Sequence, residues 1–105
     1  PPPLTAAHAS GHFELRSGAV VSRIETDPQT GLATGVTYVD DATRAHVTAT
    51  ARFVVLAAST IESVRILLNS TSARHPRGLG NSSGNPGRYL ADHLVIIRVG
   101  RLPEI

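Results

Sequence analysis

At 105 residues with 41% hydrophobic content, the chain is long enough for one modest domain and too apolar to be intrinsically disordered. Aromatic residues make up only 4%, so a core has to come from Val, Ile, Leu and Ala. The formal charge is +2 and all ten basic residues are arginines spread along the chain, which with so few stacking aromatics argues against a nucleic-acid binder.

Residues 1–11 (PPPLTAAHASG) hold three prolines and small side chains and are expected to form a loop with a single helical turn; they lack the basic start and apolar centre of a signal peptide. Residues 12–16 (HFELR) alternate apolar and polar side chains and predict a short strand. A second strand is predicted at 19–26 (AVVSRIET), followed by a turn at 27–31 (DPQTG), where proline presets one backbone angle and Gly31 can take positive φ. Residues 34–40 (TGVTYVD) alternate again, placing Val36 and Tyr38 on one face. After a turn at 41–44, residues 45–51 (AHVTATA) put Val47, Ala49 and Ala51 on one face and Thr48 and Thr50 on the other. Over 12–51 the pattern is that of a β-meander.

The run at 53–58 (FVVLAA) does not alternate, and predicts a strand buried on both faces, as in a parallel sheet covered by helices. A helix is predicted over 59–70, with Ser59 and Glu62 at capping-box spacing and Ile61, Val64 and Leu68, widened by Leu67, forming its apolar stripe. Residues 71–88, rich in glycine and proline, are a loop of the length that is often functional. Residues 93–100 (HLVIIRVG) predict a last strand. No run approaches the ~20 apolar residues that span a bilayer. The absence of methionine and the ends on three prolines and on RLPEI suggest an internal segment of a longer protein.

Few residues carry chemistry on their own. With no cysteine, disulfides, thiolate metal sites and thiol catalysis are excluded. The strand–helix junction at Ala57, Ala58 and Ser59 combines small residues with a helix N-terminus, whose free amides can hold an anion; the alternative is an ordinary βα turn with a good cap, and from these residues alone that is the stronger reading. A charge at a helix end gains about 0.3–1 kcal/mol, whereas micromolar binding needs about 8 kcal/mol, so the junction can only contribute to a nucleotide site. GNSSG (80–84) has the spacing of a nucleophile elbow but not its strand and helix, and GLGNSSG (78–84) is one residue too long for a dinucleotide loop and follows a helix. His8, His12, His46, His75 and His93 show no compact metal-ligand spacing. The Asp92–His93 pair is expected to be a cap or turn, because neighbours on a strand point opposite ways. NST (69–71) and NSS (81–83) are glycosylation sequons that matter only in a secreted setting.

Taken in order, LRSGAVVSRIE, ATGVTYVD, FVVLAASTIESVRILLNS and GLGNSSGNPGRYLADH resemble the glucose–methanol–choline (GMC) oxidoreductase family of flavoproteins, from about His12 to Arg98. The wording of the last two segments is similar to the sugar and sugar-acid dehydrogenase branch, of the gluconate dehydrogenase kind. The resemblance implies an α/β fold: a β-meander plus a strand–helix unit from a Rossmann-like FAD-binding domain. Residues 1–92 would belong to that domain, and 93–105 would begin a strand of the substrate domain. It implies FAD as cofactor, with the backbone of Val21 against the adenine and Ala57, Ala58 and Ser59 near the ribose and pyrophosphate. It implies oxidation of a CH–OH group of an alcohol, sugar or sugar acid by hydride transfer to flavin, and a cytochrome or small-subunit partner. The chain departs from the family at Ser59, where glycine is usual, at Val64, where proline or alanine is, and at Thr71, where glycine is. The family's phosphate loop lies upstream and its catalytic histidine downstream, so no catalytic group is expected here, and the isolated segment is expected to be inactive. The rival readings are a β-rich binding module without catalysis, and part of another Rossmann-type flavoprotein or nicotinamide enzyme.

Overall fold

The computed structural model describes residues 2–97, 99 and 100. Five elements follow in order: α1 (Pro2–Ala9), β1 (Ala19–Thr26), β2 (Ala33–Asp40), β3 (His46–Thr50) and α2 (Thr60–Asn69). The three strands form one antiparallel sheet in the order β1-β2-β3. The chain is thus an α/β segment built on a meander, as its alternation and turn residues predict.

Register follows from the side-chain pattern. Tyr38 pairs with Val21 on one side and Val47 on the other, and Val36 pairs with Ile24 and Ala49. Cross-strand partners share a face, so these side chains form the apolar side of the sheet. On the opposite side Thr37 accepts or donates at Thr48 Oγ1 (3.2 Å) and donates to Glu25 (2.7 Å), beside the Arg23–Glu25 ion pair at 3.0 Å. The β1–β2 register shifts between Val21 and Arg23, a bulge at Ser22 whose hydroxyl donates to the Thr37 carbonyl. Gly35 is buried where β2 crosses β3: a Cβ there would stand 2.1 Å from the Ala49 carbonyl oxygen.

α2 packs along the free edge of β1. Ser70 Oγ accepts the Ile24 N–H (2.8 Å) and donates to the Ile66 carbonyl (2.6 Å), Arg65 donates to the Val21 carbonyl (2.9 Å), and Arg23 donates to the Thr71 carbonyl (3.2 Å). An unpaired strand edge is thereby closed by side chains of a helix. Ile66, 2% exposed, is the centre of this contact, with Ile24 and Tyr38 the other buried hydrophobic residues.

Five expectations are corrected. Residues 1–11 hold a two-turn helix rather than a loop: proline is tolerated in a first turn, and Gly11, at φ 70, ends the helix. Residues 12–16 are not a strand; Arg16 instead donates to the Tyr38 hydroxyl (2.6 Å) and pairs with Glu14, which lays the segment beside Tyr38. Residues 53–58 are not a strand either. No described strand pairs with them, and Phe53 and Val55 are 85% and 88% exposed. Residues 93–97, 99 and 100 are likewise unpaired, with Leu94 91% exposed; the rest of the expected last strand, residues 98 and 101–105, lies outside the described residues. Finally, α2 buries Ile66 and Ser70 most deeply, whereas Ile61 and Leu68 of the expected apolar stripe are exposed and Val64 and Leu67 are half-buried. The strand edge needs hydrogen-bond partners, and Ser70 meets that need where an apolar side chain could not. Val64 and Leu68 lie against Gly87 instead, where a Cβ would stand 3.1 and 3.6 Å from their methyl groups.

Candidate functional site

The predicted capping box is absent. Ser59 sits at φ 66, ψ 172 and its side chain makes no cap hydrogen bond. Glu62 pairs instead with Arg65 Nε at 2.8 Å, so neither half of the box is made. The first-turn amides of α2 therefore lie open, with their partial positive charge, at an exposed Ser59. The backbone region Ser59 occupies is essentially glycine's alone and costs any other residue roughly 1–3 kcal/mol. Ala57 is exposed and Ala58 half-buried just before it, and Arg88 and Leu90 stand with Thr60 and Ile61 around a cavity of about 230 Å³ at this helix end.

Val21 lies at the same end of the β1/α2 layer. Arg65 meets Val21 and Ser70 meets Ile24, so the numbers ascend together and α2 runs parallel to β1. At 1.5 Å per residue, Ser59 stands about 9 Å before Arg65 along the helix axis. Val21 and Ser59 thus stand on elements tied by two hydrogen bonds, with Val21 meeting α2 at Arg65, six residues after Ser59. Val21 also lines a groove of about 310 Å³ with Glu14, Arg16, Ala19, Val36 and Tyr38. Of the four predicted positions, Ala57, Ala58 and Ser59 are consecutive at the start of α2, and Val21 meets that helix through Arg65. Arg65, which makes the contact with Val21, was not singled out from sequence; the contact spans 44 residues and leaves no local signal.

The other motifs resolve as structural. In GLGNSSG, Gly78 abuts Leu68, where a Cβ would stand 2.7 Å from its Cα, and the Leu79 N–H donates to the Leu67 carbonyl at 2.9 Å. The motif closes the C-terminus of α2, and no strand or helix flanks GNSSG. Asp92 accepts the His93 N–H at 2.7 Å in a stretch with no helix, strand or turn, so the expected cap or turn is not formed there. His12 and His46 are exposed. Among the described residues no three His, Asp or Glu gather as a metal site, and no helix is long and apolar enough to cross a membrane.

The family model described as GMC oxidoreductase matches residues 4–95. Over 94 residues the chain is 40% identical to the 2-methyl-1,2-propanediol dehydrogenase of Mycolicibacterium austroafricanum, covering 85% of this chain and 17% of that protein. Over 75 residues it is 36% identical to the fructose dehydrogenase large subunit of Gluconobacter japonicus, covering 71% of this chain and 13% of that protein. The chain therefore spans less than a fifth of the length of either relative. With a match across most of its length, an open helix end and the meander in register beside it, the chain belongs to the GMC oxidoreductase family.

Proposed function

We propose that this chain is part of the adenine-side wall of an FAD site in an oxidoreductase acting on the CH–OH group of an alcohol or sugar. The observation that carries the reading is Ser59. The family usually has glycine at this position, and the serine keeps a glycine-type backbone, φ 66 and ψ 172, at a strain cost. Strain of that kind persists where a backbone shape is needed; here the shape joins Ala57 and Ala58 to an uncapped helix start.

The residues fit the group. The first-turn amides of α2 are donors suited to a pyrophosphate, and Ala57 and Ala58 leave room for a ribose. The Val21 carbonyl uses one lone pair for Arg65 and keeps the other for an exocyclic amine. Held here, FAD would supply the acceptor for a hydride from the alcohol carbon. The chain's own part is to bind and orient the dinucleotide, and no residue of it is assigned to proton transfer. Residues 1–92 are read as part of a Rossmann-like FAD domain and 93–105 as the way into the substrate domain. The relatives are named for a diol and a sugar, which points to a small polyhydroxylated substrate, and "large subunit" in one name points to a partner subunit.

The test is to express the complete reading frame encoding this chain and record its visible spectrum. A stoichiometric flavin band, with FAD released on denaturation, is expected; a colourless protein that takes up no added FAD overturns the proposal.

A further inference from the structure

Two links tie α2 to β1, and they differ in where they act. Ser70 bridges the Ile24 N–H and the Ile66 carbonyl at the buried end of the helix, far from Ser59. Arg65 acts at Val21 itself: Nη2 donates to the Val21 carbonyl at 2.9 Å while Nε donates to Glu62 Oε2 at 2.8 Å. A guanidinium is a planar, rigid fork. With Nε held by Glu62 one turn earlier on the same helix, Nη2 cannot swing freely, so the Val21 carbonyl is tied to α2 by a side chain of restricted reach.

We propose that Arg65 is a positioning residue, holding the Val21 backbone at a set distance from the Ser59 turn so that both halves of one dinucleotide are bound together. The inference rests on the FAD reading above. Its consequence is selective. A ligand that reaches from the helix end to Val21 needs this spacing; a flavin mononucleotide, which has no adenine, does not. Arg65 thus favours the dinucleotide over the mononucleotide without touching the isoalloxazine. A merely structural arginine would weaken both ligands alike.

The experiment uses the complete protein, stripped of flavin and titrated with FAD and, separately, with FMN by flavin fluorescence. Arg65→Met is expected to weaken FAD about tenfold or more, in line with loss of one hydrogen bond from a charged donor, and to leave FMN binding within about twofold. Arg65→Lys keeps the charge and a donor and is expected to lower the FAD/FMN affinity ratio less. Ser70→Ala is expected to lower Tm while leaving that ratio unchanged. Where Arg65→Met yields no soluble protein, Arg65→Lys decides by the same ratio. Native FAD uptake with an unchanged ratio in the Arg65 variants overturns the role of Arg65 and leaves the flavin site standing; a native protein that binds no FAD overturns the flavin site itself.

Discussion

Residues 27–31 and 40–44 close the two hairpins of the meander with almost the same hydrogen bonds. In the first, the Asp27 N–H donates to the Leu32 carbonyl and the Gly31 N–H to the Asp27 carbonyl; in the second, the Asp40 N–H donates to the Ala45 carbonyl and the Arg44 N–H to the Asp40 carbonyl. Asp27 Oδ1 accepts the Thr30 N–H (2.7 Å) and hydroxyl (2.9 Å), and Asp40 Oδ1 accepts the Thr43 N–H and hydroxyl, both at 2.8 Å. Each threonine oxygen then accepts the amide two residues on, at 3.3 Å. The turns differ at their fifth residue, Gly31 at φ 75 against Arg44 at φ 59. The Asp–Thr pair therefore dictates the turn, and the left-handed residue follows whether or not glycine is there to take it. Glycine relieves a strain; it does not create the geometry.

Swapping the fifth residues breaks the comparison in opposite directions. Gly31→Ala puts a Cβ at positive φ and 3.1 Å from Arg74 Nε, a flexible side chain that can give way. The backbone term dominates, and a loss of about 1–2 kcal/mol is expected, read as a fall in Tm of the complete protein; no change would mean that the turn reshapes instead. Arg44→Gly is the smaller change. It removes the same strain, returns part of it as chain entropy, and gives up an exposed 3.5 Å ion pair with Asp41 of little worth. A gain of about 0.5–1 kcal/mol is expected in the same thermal measurement, and a loss would show that Arg44 makes a contact more valuable than its backbone is costly.

These turns also show what was legible. The meander could be read because alternation and turn chemistry are local: Asp27, Thr30 and Gly31 decide their fold among themselves. The stretch at 53–58 could not, because an apolar run becomes a strand only beside other strands, and none of the described residues pairs with it. The face of α2 was misjudged for a related reason. Counting apolar residues selects Ile61, Val64 and Leu68, but the free edge of β1 is met by Ser70, which accepts the Ile24 N–H. At the candidate site, Val21, Ala57, Ala58 and Ser59 were named through family resemblance rather than through their chemistry, which alone suggested an ordinary cap. The backbone angle of Ser59 removes the cap but does not by itself make a site, and an angle is not written in a residue's identity; Ser59 is a good N-cap by type and makes no cap here.

The smallest effect expected sharpens the comparison at the carboxylates. The Thr30 amide, then its hydroxyl, holds Asp27 below its ordinary value of 3.8, and the Thr43 amide, then its hydroxyl, does the same for Asp40. Both are lowered in the folded state, so the folded protein binds fewer protons than the unfolded chain in this range. The stability they contribute is present above about pH 4 and is lost as pH falls through their folded values. Asn at both positions keeps an acceptor oxygen but cannot titrate. Acid unfolding of the native protein below about pH 4 should be steeper than that of the Asp27→Asn, Asp40→Asn double variant, and each single variant should remove part of the difference. Equal slopes would mean that the carboxylates act as neutral acceptors, and that the turns are held by geometry without charge.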